Sequence, residues 1–303
     1  MKLVTLFSCL LAVCSSAALG NSNRADFTIA FHDIETDLKI ITTSVMPEEY
    51  LPVKTTAGAL APQGELRKTE TGWEWQAPAH PGHYSVSFQQ AGQEILLRVF
   101  VLTPFLNGEQ EALQGFTIGS YQKELFRGLP TYSAPRGFIN LTDDLAGVQV
   151  SPSFSINQFV SKQKPGHDDA TYLLVLPAML IKLETLLEAA NERGWRAPTL
   201  YVMSGFRTPF YNRAIGNNTT TSRHLYGGAA DVWIDGDEDG LMDDLNGDGR
   251  IDRQDAFTLA GLAESLAAKG GRDWPPGGIG IYDSTPAHGP FVHIDSRGYR
   301  ARW

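Results

Sequence analysis

The sequence predicts an α+β protein: an antiparallel sheet carrying helices, preceded by a small β-sandwich domain. Three observations predict it. Up to about residue 104 the chain is a series of short runs rich in β-branched and aromatic residues, separated by Gly, Pro and polar clusters, which is the pattern of strands and turns. From Pro177 onward Leu180, Leu183 and Leu187 recur at three- and four-residue spacing, the period of one buried helix face. Beyond residue 199 strand-like and helix-like runs alternate, and such a mixture packs as helices on a sheet. Outside one acidic insert there is no internal repeat.

The elements follow in chain order. The first twenty residues, "MKLVTLFSCLLAVCSSAALG", place one lysine before an apolar run that ends in small residues, which reads as a secretory signal peptide cleaved after Gly20. The apolar run is short for a membrane span of about 20 residues, so no stable membrane insertion is expected. The chain is read as periplasmic or secreted, with a lipoprotein anchored at Cys14 as the alternative. Cys9 and Cys14 are the only cysteines. The mature chain then has neither disulfide nor thiol ligand.

Residues 21–104 hold "FTIAF", "LKIITTSV", "GWEWQAP", "HYSVSFQQ" and "EILLRVFVL", with alternation clear in Tyr84-Val86-Phe88. Strands at this spacing suggest an immunoglobulin-like sandwich, and no catalytic constellation is visible among them. Residues 105–144 read as a connecting segment. In 145–303 a helix opens at Pro177 and closes at Gly194, and a strand follows in "TLYVMSGF". Thr208 and Pro209 are N-cap and first residue of a second helix. "ADVWI" is a strand, "RQDAFTLAGLAESLAAKGG" a helix stopped by glycines, and "GGIGIY" and "PFVHIDSRG" are the last strands.

The 303 residues suffice for about two domains, and 42% hydrophobic with 19% charged residues is ordinary for a soluble globular protein. The net charge of −9 argues against nucleic acid as a partner. Residues 235–255 carry nine Asp/Glu and two Arg, so the acidity is concentrated in one insert.

"SRHLYGGAAD" sets His224 and Asp231 seven residues apart, about 10 Å along a helix, too far to share an ion. A fold-back at Gly227 and Gly228 lets them converge, because glycine has no Cβ to restrict φ. "SGFRTPFYN" adds Arg207, and "FVHID" adds His293. Catalytic zinc takes three N/O ligands and keeps a fourth position for water. His224, Asp231 and His293 are the right types and number.

These residues resemble a known family. Ser222, His224, Gly227, Ala229 and Asp231 match the S-x-H-x-x-G-x-A-x-D signature of the zinc D-alanyl-D-alanine peptidases, a group that includes D,D-carboxypeptidases, vancomycin-resistance dipeptidases and, by fold, the hedgehog amino-terminal domain. "SGFRT" and the F-V-H-x-D terminal motif point to the exported, hedgehog-fold branch, over roughly residues 145–303. The resemblance implies that His224, Asp231 and His293 bind Zn²⁺. It also implies that Arg207 faces the developing oxyanion or a substrate carboxylate, and that Ser222 orders the loop. The departure concerns the general base: where relatives carry Glu-x-x-His or His-x-His, this chain has Pro290 and Phe291. Asp295, two residues after His293 on the same strand face, is the nearest candidate, either as base or as an acceptor that orients a ligand. His288, in "TPAHGP", is a second candidate.

The insert "DGDEDGLMDDLNGDGRIDRQD" has the spacing of an EF-hand calcium loop from Asp244, with Asn246, Asp248, Arg250 (through its carbonyl), Asp252 and Asp255 at positions 3, 5, 7, 9 and 12 and Gly249 at the turn. A second, overlapping loop begins at Asp235 with Asp237, Asp239 and Asp243. Calcium is expected there in a structural role.

The leading expectation is an exported zinc metallopeptidase, of D,D-carboxypeptidase or endopeptidase type, acting on peptidoglycan peptides. The contrasting one is a non-catalytic, metal-binding envelope protein for adhesion or assembly. A peptidase for ordinary L-peptides is a third reading. Oligomeric state is open.

Overall fold

The computed structural model describes residues 23–303. The expected signal peptide, its cleavage site, both cysteines and the alternative lipid anchor lie outside the described residues. No helix among the described residues is long and apolar enough to cross a membrane.

The first region forms two sheets from nine strands: β1 (Arg24–Phe31), β2 (Ile34–Leu38), β3 (Ile40–Val45), β4 (Tyr50–Lys54), β5 (Gly58–Leu60), β6 (Glu65–Lys68), β7 (Gly72–Gln76), β8 (Gly82–Gln90) and β9 (Gln93–Val101). One sheet runs β2-β1-β4-β7-β6 and the other β3-β9-β8-β5, with β3 and β9 parallel and the other neighbours antiparallel. Alternate residues turn inward, so that Ile29, Phe31, Leu51, Val53 and Trp75 from the first sheet share a core with Ile41, Val86, Phe88, Leu97 and Val99 from the second. The sequence reading found β1, β3, β7, β8 and β9. It missed β2, β4, β5 and β6, which are only three to five residues long. The "ELRK" of β6 leaves every residue at least partly exposed, so it carries no apolar alternation to read.

The segment after β9 is woven into both halves. Gly137–Leu141 pairs with Thr103–Pro104 on one side and Thr171–Leu173 on the other. One three-stranded ladder therefore crosses both expected boundaries, at 104 and 144.

The helix α1 (Pro177–Glu192) starts with Pro at its first turn, where a missing N–H costs nothing, and buries Leu180, Leu183 and Leu187. It also joins the halves. Arg24 of β1 pairs with Asp37 at 2.7 Å, with Glu188 of α1 at 2.9 Å and with Asp273 at 3.3 Å. The short helix α2 (Pro209–Ala214) is capped by the Thr208 side chain, which accepts from Tyr211 N–H at 3.0 Å.

A five-stranded sheet organises the C-terminal half. Its order is Tyr201–Ser204, Ala229–Trp233, Phe291–Asp295, Gly278–Tyr282, Ala301–Arg302, antiparallel except for the final, parallel pair. α3 (Arg253–Lys269) packs against Gly278–Tyr282 and Phe291–Asp295 and buries Ala256, Leu259, Ala260, Leu262 and Ala263. Along Phe291–Asp295 the apolar Val292 and Ile294 point one way, leaving Phe291, His293 and Asp295 on the other face.

Candidate metal centre

Strand register brings the expected ligands together. Asp231 lies directly opposite His293 in the antiparallel ladder, so their side chains leave the same face of the sheet. Ser204 pairs with Asp231 on the other side, across a register irregularity. Gly280 pairs with His293. One transverse row thus reads Ser204, Asp231, His293, Gly280. His224 arrives from outside the sheet, on the 3₁₀ turn Arg223–Tyr226 that precedes Ala229–Trp233.

Gly227 makes that approach possible. It ends the turn at φ +67°, and a Cβ there would lie 2.6 Å from the backbone of Leu174. Gly227→Ala is expected to cost about 1–3 kcal/mol through strain and collision. It should also loosen the turn that carries His224. A urea melt read beside zinc content checks both.

The three side chains bury to 3–6% exposure and bring one ligand atom each within 4.8 Å of the others. His224 Nε2 is 3.2 Å from His293 Nδ1 and 3.3 Å from Asp231 Oδ1, and His293 Nδ1 is 2.8 Å from the same oxygen. Zinc–ligand distances near 2.0–2.1 Å imply a tetrahedral edge of about 3.3 Å. Two separations match it and the third is a few tenths shorter, so the donor set fits a tetrahedral divalent ion in both chemistry and size.

Neighbouring groups fix which atoms face that point. His224 Nδ1–H donates to Gly205 O at 2.6 Å, which leaves Nε2 with its lone pair inward. His293 Nε2–H donates to Asp295 Oδ2 at 3.1 Å, which leaves Nδ1 inward. Asp231 turns Oδ1 to the histidines while Arg207 Nη2 holds Oδ2 at 2.6 Å, and Arg207 Nε donates to Ser204 Oγ at 2.7 Å. Burial pushes Asp231 upward, but the charge and hydrogen bonds of the two histidines outweigh it and hold the carboxyl well below its ordinary range. Burial pulls His224 down. Burial also opposes the charged form of His293, yet hydrogen bonds to Asp231 and Asp295 raise it to about 9. A divalent ion entering here therefore displaces a proton.

Asp295 is fully buried and both of its oxygens are engaged. Oδ1 accepts from Gly278 N at 2.8 Å and from Arg297 N and Nε at 3.0 Å each. Oδ2 accepts from Arg297 Nη2 at 2.5 Å and from His293. Despite burial, which raises it, His293 and Arg297 hold this carboxyl far below its usual range. Of the two roles left open by the sequence, the geometry is that of orienting His293. His288 sits in the turn bridged by Thr285 and His288, half-buried against Phe291, and does not line the cleft over the cluster.

The cluster lies in a cleft of about 300 Å³. Asn217, Thr219, Thr221 and Ser222 form a polar rim, Tyr282, Phe291 and Trp303 an aromatic wall, and Arg207, Arg223 and Arg297 complete the lining. Among the described residues Asp231 is the only side-chain carboxylate in that lining. Sequence reasoning missed the aromatic wall, because Trp303 reaches His293 only through pairing of the Ala301–Arg302 strand with Gly278–Tyr282. It also missed Arg223, a buried guanidinium held between the Tyr132 and Tyr226 rings at 4.7 and 4.9 Å.

In the acidic insert, Asp235, Asp237 and Asp239 bring carboxylate oxygens within 4.8 Å of one another. The Asp244 loop forms no such group among the described residues. Asp244, Asn246 and Asp248 accept from the loop's own N–H groups. Asp255 is buried, accepting from Leu245, Asn246 and Asp252 and so capping α3 with Asp252. As placed, it serves the backbone rather than position 12 of a cation loop. Arg250 and Asp252 are at the loop's edge, and Asp243 accepts from Gly236 N.

Residues 153–246 match the family model described as Peptidase M15. No curated protein and no solved structure matches the chain. The match covers Arg207, His224 and Asp231, ends before His293, and excludes β1–β9. It supports a metallopeptidase of the M15 zinc family.

Proposed function

We propose that this chain is an exported zinc metallopeptidase that hydrolyses D-amino-acid peptide bonds in peptidoglycan stem peptides or cross-links. The observation that carries the reading is the buried His224–Asp231–His293 set lining a cleft of about 300 Å³. A zinc ion held by these residues supplies Lewis acidity, polarising a carbonyl and lowering the pKa of water to about 7. The chain's own groups do the rest. Gly205 O and Asp295 fix the tautomer and tilt of the two histidines. Arg207 holds Asp231 in its one-oxygen orientation and would offer its guanidinium to a carbonyl oxygen that develops charge. The polar rim offers hydroxyl and amide partners to the peptide backbone.

The absence of a second carboxylate in the described cleft favours one other reading, a non-catalytic metal-binding envelope protein for adhesion or assembly. Incubation with muropeptides, with and without a chelator, separates the two. Chelator-sensitive release of D-alanine or splitting of cross-links supports hydrolysis, and intact muropeptides support the binding protein. Export, a peptidoglycan partner and the D-peptide preference belong to the same proposal.

Calcium in the insert is also part of this proposal, with Asp235, Asp237 and Asp239 as its centre and stability as its effect. Millimolar calcium is expected to raise the Tm by a few degrees while the cleavage rate of the zinc-loaded protein is unchanged. A rate that follows calcium at constant Tm contradicts a structural role.

A further inference from the structure

Lys182 lies within α1 with none of its surface exposed. Among the described residues no carboxylate forms an ion pair with its ammonium. Nζ donates instead to the backbone carbonyl of Asp295 at 2.6 Å, and it lies over the Trp274 ring, 5.1 Å from the centre. Gly277 lets the two groups meet, because a Cβ there would collide with both the Asp295 carbonyl and the ammonium. The charges that act on Lys182 are the Asp295 carboxylate, which favours the ammonium, and Arg297 and Arg302, which oppose it. Arg302 is itself paired with Glu264. Burial outweighs the attraction and pulls the Lys182 pKa down to about 8. A charged lysine in this place therefore works against folding at neutral pH. A methionine, similar in length, would fill the space without that cost. Nothing in the packing of α1 requires a charge here.

We propose that Lys182 is a positioning residue for the metal centre: its buried ammonium anchors the main chain of Asp295, so that the Asp295 side chain holds the His293 ring in its ligating orientation. This role rests on the metallopeptidase reading. Asp295 is gripped at two places. Gly278, Arg297 and His293 take up its carboxylate, and Lys182 takes its carbonyl. Asp295 is also the last residue of its strand. Releasing the carbonyl frees that end to shift, and the His293 ring, joined to it through Nε2 at 3.1 Å, shifts with it. A ligand atom has to be held within about 0.5 Å of its productive position.

Two variants of the full chain test this, with zinc affinity measured by chelator competition and Tm measured on the zinc-free protein. Lys182→Met is expected to bind zinc about 10-fold more weakly, the lower end of what a group behind a metal ligand contributes, while its Tm holds or rises. Lys182→Gln, one atom shorter and uncharged, is expected to do the same to a smaller degree. The opposed signs are the signature of positioning, because general loosening of the fold lowers both quantities. Zinc affinity equal to wild type in whichever variant folds overturns the role. An affinity that falls only together with a lowered Tm assigns Lys182 to structure and overturns it as well. A wild type that binds no zinc removes the metallopeptidase reading itself, whereas a zinc-binding wild type beside unaffected variants removes only the role of Lys182.

Discussion

His293→Ala is expected to lose zinc and to lower kcat/KM by at least about 10³-fold, a barrier increase of about 4 kcal/mol. The substitution removes one of three ligands, and among the described residues no other His, Asp or Glu joins this group. It also removes the ring on which two buried carboxylates depend. Asp231 loses its 2.8 Å partner and Asp295 its 3.1 Å partner. Leaving buried charges less well paired destabilises the fold as well, so the alanine variant is to be read beside His224→Gln. That variant keeps bulk and a polar tip in the turn and leaves the sheet untouched. Elemental analysis, muropeptide cleavage and circular dichroism on both variants give the answer. A folded variant without zinc and without activity is the expected result. Full activity in either variant contradicts the assignment of ligands.

Asp295→Asn is expected to weaken zinc binding and activity together by about 10–100-fold, the usual contribution of a group that orients a metal ligand. The shapes of Asp and Asn are alike, so packing is preserved. The charge and the acceptor capacity are not. An amide nitrogen turned toward His293 Nε2 favours the tautomer with its proton on Nδ1, the atom that must stay bare. The change also strips Arg297 of a pairing made through Nε and Nη2. Competition with a zinc chelator measures the affinity, and kcat measured at saturating zinc separates ligand orientation from simple loss of metal. A lowered Tm with zinc affinity unchanged would show that Asp295 is only a structural ion pair.

Most of the site was legible because its signals are local. The spacing in "SRHLYGGAAD" demands a fold-back, and Gly227 supplies it at φ +67°. "FVHID" places His293 and Asp295 two apart, so strand alternation alone puts them on one face. The α1 and α3 boundaries were likewise local, set by Pro177 and by Gly270. What the sequence did not show depends on pairing between distant segments. The role of Asp295 follows from Gly278 N–H and Arg297 closing on it, not from its place in the motif. Trp303 has no motif and reaches the cleft through a two-residue parallel strand. In the insert, spacing and geometry single out different loops. The acids of both loops accept from their own backbone N–H groups, yet among the described residues only the less regular Asp235, Asp237 and Asp239 also bring carboxylate oxygens together. Side-chain hydrogen bonds to nearby N–H groups compete with cation ligation in such loops, and spacing alone does not decide which wins. The ladder that spans positions 104 and 144 was hidden for a similar reason, since Gly137–Leu141 finds its partners far away in the chain on either side.

Zinc-edge X-ray absorption on the purified full chain, with metal stoichiometry measured on the same sample, tests the central claim most directly. One zinc per chain is predicted, in a four-coordinate shell of N and O atoms near 2.0–2.1 Å with two imidazoles. One position should be exchangeable, seen as a changed spectrum when a small anion or a hydroxamate is added. Zinc absent at full stoichiometric supply, or a closed shell of four protein atoms that no added ligand perturbs, would contradict a His224–Asp231–His293 centre built for hydrolysis.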